Sequence, residues 1–321
     1  MLGKLFEKEG KLEEAKDLLK LTLFTYEQKL GVNINTAEVQ ELLGSIYESL
    51  GNLNDARRYL EKARALKEKI AGTEHISVSD TLYLIGKVKA KSGDLDDSLA
   101  TFKEVMRIRQ NNHGKESLGV AAVLNDVGVI QLRRGMDDIA LRCFKEARHL
   151  WMTLLGENHE FVGETLVNIG EVEFGREEYI KAIASFTEAM SIFKDTRAVD
   201  HLSVAFVYFK LGKIHWHNNQ LDEAIETYEK CLSIRNLQLG ASLPVADVLF
   251  ELGSAHFKNG DFIKARDYLG EALVINKEEC PDTVKIANVV FLLGKVMMKV
   301  GYIDEGMYMH SVCIYQDCIH Y

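Results

Sequence analysis

The chain has 321 residues, of which 47% are hydrophobic and 27% charged, and a net charge of −9 at pH 7. That acidic balance argues against general nucleic-acid binding, which needs a basic footprint. Five cysteines without a CxxC spacing point to free thiols in a reducing compartment, the cytoplasm, and two prolines without any linker-like stretch leave one continuous domain over residues 1–321.

The start, MLGKLFEKEG, is charged and lacks the apolar stretch of a secretory signal. Its Gly3 follows an aliphatic residue, and so do Gly44, Gly86, Gly128, Gly170, Gly212, Gly253 and Gly294. Successive intervals are 41, 42, 42, 42, 42, 41 and 41 residues. A fixed period of this size marks stacked repeats that present a long surface. The expected fold is therefore all-α, a right-handed superhelical solenoid of antiparallel helix pairs with eight repeats.

In chain order the units are 1–31, 32–72, 73–114, 115–156, 157–198, 199–240, 241–280 and 281–321. The first is incomplete: its glycine is residue 3, which leaves only a second helix over roughly Leu12–Leu30. Later units read as helix A, tight turn, helix B and a looser connection. Unit 6 shows the helical period, with Val204, Val207, Tyr208, Leu211 and His215 in helix A and Ala224, Ile225, Tyr228, Cys231 and Leu232 in helix B. Turn residues separate the two at Gly51-Asn52, Gly93-Asp94, Asn218-Asn219 and Gly260-Asp261. His75, His159 and His201 recur at the entrance of helix A, which suits connector or capping residues. Unit 8 ends in a helix B over Met307–Tyr321 whose Val312, Ile314, Tyr315 and Ile319 lack a polar cap. Ends of this kind point to a chain cut from a longer array, or to end-to-end self-association.

Aligning units on the glycine sorts the residues into columns. Twelve residues on stand Ala15, Ala56, Ser98, Ala140, Ala182, Ala224 and Ala265, and seven before stand Ala37, Ser79, Ala121, Gly163, Ala205, Ala246 and Ala287. Sixteen on comes a large residue: Leu19, Leu60, Phe102, Phe144, Phe186, Tyr228, Leu269 and, out of pattern, His310. The small columns predict close approach of helices.

This column set resembles the tetratricopeptide repeat, whose usual period is shorter. The longer period and its connector look like the kinesin light chain type. The matching connectors are Leu155-Gly156-Glu157-Asn158-His159-Glu160-Phe161-Val162-Gly163, His201-Leu202-Ser203-Val204-Ala205, His75-Ile76-Ser77-Val78-Ser79 and Pro244-Val245-Ala246. The family's proline is mostly absent, and its Asn-Asn pair survives in part as Asn125-Asp126 and Asn168. No heptad pattern precedes the repeats, so the resemblance implies protein or peptide recognition rather than a motor subunit. An alternative is a regulatory or sensor segment of a larger protein, a motor light chain or a nucleotide-binding signalling protein.

No constellation points to catalysis, a cofactor or a metal. His215 and His217 lie about 200° apart on a helix and share no face. Nineteen residues after the glycine, where Ala63, Ala147, Ala189 and Ala272 make a third small column, Cys231 and Cys313 replace alanine as core thiols. The longest apolar run, Val289–Gly294, is far short of a membrane span. The expectation is a non-enzymatic protein that binds neither nucleic acid nor membrane.

Binding is expected on the inner wall made by helix A. One residue after the glycine stand Lys4, Lys87, Lys213 and Lys295, and five after it Lys8, Lys91, Arg133, His217, Lys258 and Lys299. These positions share a helix face. Trp216 and Phe257 stand four after the glycine and Phe250 three before it. Cations among aromatics suit an acidic peptide with apolar anchors. With Asn125 from the family motif, these residues make up the expected groove.

Overall fold

The computed structural model describes residues 12–29, 33–197, 201–280 and 284–301. Among them all regular structure is helical. The fourteen helices are α1 (Leu12–Lys29), α2 (Ile34–Ser49), α3 (Leu53–Ala71), α4 (Ile76–Lys91), α5 (Leu95–His113), α6 (Leu118–Arg133), α7 (Asp137–Leu155), α8 (Glu160–Gly175), α9 (Tyr179–Thr196), α10 (Leu202–His217), α11 (Leu221–Leu239), α12 (Leu243–Asn259), α13 (Phe262–Glu279) and α14 (Val284–Val300). The expected half-repeat around Gly3, with Lys4 and Lys8, and the expected last helix over residues 307–321, with His310 and Cys313, lie outside the described residues.

The chain divides into two compact units, Met1–Glu157 and Asn158–Tyr321. In the first, α1 is a lone B helix followed by the A/B pairs α2/α3, α4/α5 and α6/α7. In the second, the pairs α8/α9, α10/α11 and α12/α13 are followed by α14, an A helix. Each B helix packs on the next A helix of its unit, and α2, α4 and α6 touch in sequence.

Local chemistry sets each boundary. The turn from A to B needs a left-handed residue seven places after the repeat's glycine. Gly51 (φ 78), Gly93 (φ 87), Gly135 (φ 72) and Gly260 (φ 86) supply it without strain, and Glu177 and Asn219 (both φ 60) adopt it with a side chain. At the A-helix entrances the histidines are N-caps. Nδ1 of His75, His159 and His201 accepts from the backbone N–H of Ser77 (3.2 Å), Phe161 (3.2 Å) and Ser203 (3.1 Å). Asn33 and Ser117 do the same for α2 and α6. Replacing His159 by Ala should lower stability by about 0.5–2 kcal/mol, while Asn should keep most of it. Urea unfolding checks this, and an unchanged midpoint for His159→Ala would remove the ring from the capping account.

The small columns are the core. Ala56, Ala140, Ala182, Ala224 and Ala265 are fully buried, as is Ser98, whose Oγ donates to the Gly86 carbonyl at 2.6 Å. The glycine column has a more specific partner than close helix approach alone. A methyl group added at Gly128 would stand 2.5 Å from the Phe144 ring, and one at Gly212 2.5 Å from the Tyr228 ring. Gly44, Gly86, Gly170 and Gly253 are covered in the same way by Leu60, Phe102, Phe186 and Leu269. The large side chain of helix B thus lies on the bare backbone of its own helix A, which locks each pair at close range.

Candidate functional site

In the first unit, α4 and α6 bring three of the expected cations together. Lys87, Lys91 and Arg133 line a cleft of about 110 Å³ with Asp126, floored by Phe102 and Ile130. Lys91 Nζ is 2.7 Å from Glu48 of α2, and Arg133 Nη1 donates to the Ala90 carbonyl at 3.2 Å. Asp126 is largely buried, and burial raises its pKa. The opposing influences are, in order, a hydrogen bond from Tyr83, the charge of Lys87 and a hydrogen bond from Asn125. Burial likewise pushes the Tyr83 phenol up, with the Asp126 charge adding to it.

In the second unit the expected residues form two clusters. One is aromatic. Lys258 Nζ caps the Trp216 ring at 4.6 Å, and His217 packs against Trp216 (5.4 Å), Phe174 (5.8 Å) and Tyr179 (5.8 Å, stacked). Phe257 is half-buried against Phe262 at 5.7 Å. The other cluster surrounds a cleft of about 250 Å³ lined by Phe209, Lys213 and Phe250 together with Asp247, Glu251 and Asn276. Lys213 sits 5.0 Å over Phe209 and 3.2 Å from Glu251. Lys295 sits 4.1 Å over Phe291, and Lys299 is exposed near the end of α14.

The cations are therefore not a uniform free stripe. Carboxylates on neighbouring A helices face two of them, Glu48 on Lys91 and Glu251 on Lys213, and pair in the same way with two lysines outside the expected set, Glu171 with Lys210 and Asp247 with Lys285. Partly exposed pairs of this kind contribute about 0–1 kcal/mol each, so an incoming charge can exchange with them. The sequence spacing hid this, because the partners lie about one repeat apart.

One column escaped sequence reasoning altogether. Lys67, Arg109 and Arg235 each stand 23 residues after their glycine and are buried. Each donates to a carbonyl on the next A helix. The signal was present as a recurring cation at fixed register on an otherwise apolar helix face.

His256 and Tyr268 stack at 5.4 Å, as Tyr47 and Tyr59 do at the same register, and His215 Nδ1 meets Gln220 at 3.1 Å. These histidines occupy packing slots. Cys231 is fully buried, and burial pushes its thiol up to about 11. Among the described residues no three His, Cys, Asp or Glu side chains converge as a metal site, and no helix is long and apolar enough to cross a membrane.

Comparison with known proteins gives the family. Tetratricopeptide repeat models match residues 1–69, 77–151, 161–236 and 246–279. No curated protein matches. Among solved structures, BtubC (BKLC) from P. vanneervenii is similar at 20% identity, covering 70% of this chain and 90% of that one, with a TM-score of 0.60. The apo quorum sensor NprR from B. thuringiensis is 12% identical, covers 98% and 84%, and has a TM-score of 0.73. Nearly identical repeats related to kinesin light chain from Podosopora anserina are 16% identical, cover 64% and 98%, and have a TM-score of 0.52. Likeness at these identities is likeness of fold.

Proposed function

The chain belongs to the tetratricopeptide repeat family, and on that premise we propose that it is a non-enzymatic adaptor or scaffold that holds protein or peptide segments along its A helices. The carrying observation is that exchangeable ion pairs and half-buried rings share the face of successive A helices, as at Lys213/Glu251 and Lys258/Trp216. A segment that supplies carboxylates replaces the internal acids, and its apolar side chains extend the ring clusters. In the first unit Lys87, Lys91 and Arg133 would meet a carboxylate of the segment at their shared cleft, beside Asp126. In the second unit Trp216, His217, Phe257, Lys258, Lys295 and Lys299 belong to the same surface.

The repeat is of the kinesin light chain type on this reading, supported by its 41–42-residue period and by the capping histidines of the connectors. On this reading the protein works in the cytoplasm, without nucleic acid or membrane as partner, which its five cysteines without a CxxC spacing support. A second reading is a regulatory or sensor segment, supported by likeness in fold to a quorum sensor over 98% of the chain.

The test is charge reversal of Lys213, Lys258 and Lys299 to Glu. Affinity for acidic peptides selected from a library should fall at least tenfold with helicity unchanged. Unchanged affinity in the triple variant would overturn the acidic-segment reading.

A further inference from the structure

In three repeats a long cation on helix B reaches across to the next helix A. Lys67, Arg109 and Arg235 hold the same register and are at least nine-tenths buried. They donate to the carbonyl oxygens of Ser77 (3.3 Å), Gly119 (2.8 Å) and Pro244 (2.6 Å), which also share one register, nine residues before a repeat glycine. Both guanidiniums lie over the ring three residues before their own repeat's glycine. Arg109 is 4.7 Å from Tyr83, and Arg235 is 4.8 Å from Phe209. Arg109 further donates to Asp80 at 3.0 Å, six residues before Gly86.

In the repeat made by α12 and α13, the residue at this register is Asn276. The rest of the receptor is kept: Phe250 stands where Tyr83 does, and Asp247 where Asp80 does. Asparagine is too short to cover the ring. Asn276 is 2% exposed, and among the described residues its Oδ1 has no hydrogen-bond partner. Beside it is the cleft of about 250 Å³ that Phe250, Asp247 and Asn276 line together with Glu251 and the lysines paired to the two carboxylates, Lys213 and Lys285. A buried carbonyl oxygen without a donor is a standing demand for one.

We propose that this cleft takes the arginine side chain of a bound protein segment. The guanidinium lies over Phe250 and donates to Asn276 Oδ1 and to the Asp247 carboxylate, reproducing from outside what Arg109 does from within. Arginine suits the site better than lysine because its planar fork serves two acceptors while stacking on the ring. Asp247 is now paired with Lys285 at 2.6 Å, but the two side chains are 42% and 50% exposed, so the pair exchanges readily. This inference rests on the segment-recognition reading and adds a basic residue to the partner; Lys213 lines the same cleft and stays paired with Glu251 at 3.2 Å, so the acidic residues of the segment meet the cations outside it, at Lys258 and Lys299.

The test titrates the whole chain with acetyl-Ala-Ala-Arg-Ala-Ala-amide and with its citrulline counterpart, which keeps the shape and loses the charge. The arginine peptide should bind at least tenfold tighter. Asn276→Arg should erase that preference and raise the melting temperature, because the chain then fills its own slot. Asp247→Asn, at an exposed position that leaves the fold intact, should weaken the preference. Equal or absent binding of the two peptides, or a preference that survives Asn276→Arg, overturns the proposal. If acidic library peptides still bind and respond to the triple charge reversal while the arginine and citrulline peptides behave alike, the guanidinium site falls and the wider reading stands. If the arginine preference holds while charge reversal changes nothing, the cleft stands and the acidic-segment reading falls.

Discussion

Phe144→Ala should remove about 3–5 kcal/mol of folding stability. The ring is fully buried and lies on Gly128, where a methyl group would stand 2.5 Å away. Truncation removes an aromatic side chain whose surroundings are two helices locked at close range, so little collapse can fill the void. The reverse change, Gly128→Ala, forces a methyl into the ring and should cost about 1–3 kcal/mol by overpacking. The double variant separates the two causes. With the ring gone, the methyl at position 128 enters the vacated space, so its cost should vanish and the two changes should couple strongly. Urea unfolding of the four chains measures the cycle. Additive losses would show that ring and glycine do not act as one lock.

Arg109→Ala should cost about 2–3 kcal/mol, the range of charge-assisted hydrogen bonds lost from a buried group. Arg109 donates to the Gly119 carbonyl at 2.8 Å and to Asp80 at 3.0 Å, and it stacks 4.7 Å over Tyr83. Gly119 leaves room for it, since a methyl there would stand 2.9 Å from the arginine stem. Asp80 is 58% exposed and rehydrates when its partner goes, so the loss stays below that of a fully buried pair. The effect should be local. Stability in stacked repeats is a sum of unit and neighbour terms, and Arg109 joins α5 to α6. Amide exchange should therefore quicken in α6 and α7 more than in α2 and α3. Arg109→Lys keeps the charge without the fork and should recover less than half of the loss. Uniform quickening across the first unit would contradict a neighbour-specific clamp.

Much of this fold is legible in the sequence because its determinants are local. The turn glycines Gly51, Gly93 and Gly135 announce themselves by the left-handed backbone they permit, and the A-helix entrances by capping side chains such as His159 and His201. The small columns, such as Ala140 and Ala182, recur at the period of 41–42 residues and are the core. Expected groove residues were harder to judge. Their helix and face follow from the period, but Lys91 meets Glu48 and Lys213 meets Glu251 across repeats. A composition of lysines on one face says nothing about which of them already has a carboxylate opposite.

What the sequence alone determined is the alternation of helix and turn, the register of each repeat and the residues that must be small, because all of these depend on backbone preference and periodicity within about 42 residues. What only the tertiary structure decided is pairing: Phe144 on Gly128, Lys91 with Glu48, and the short Asn276 leaving open a slot that Arg109 and Arg235 close in their own repeats. The physical reason is that side-chain contacts between helices depend on distances and directions in three dimensions, and one register can present a cation, a ring or an amide without altering the helix that carries it.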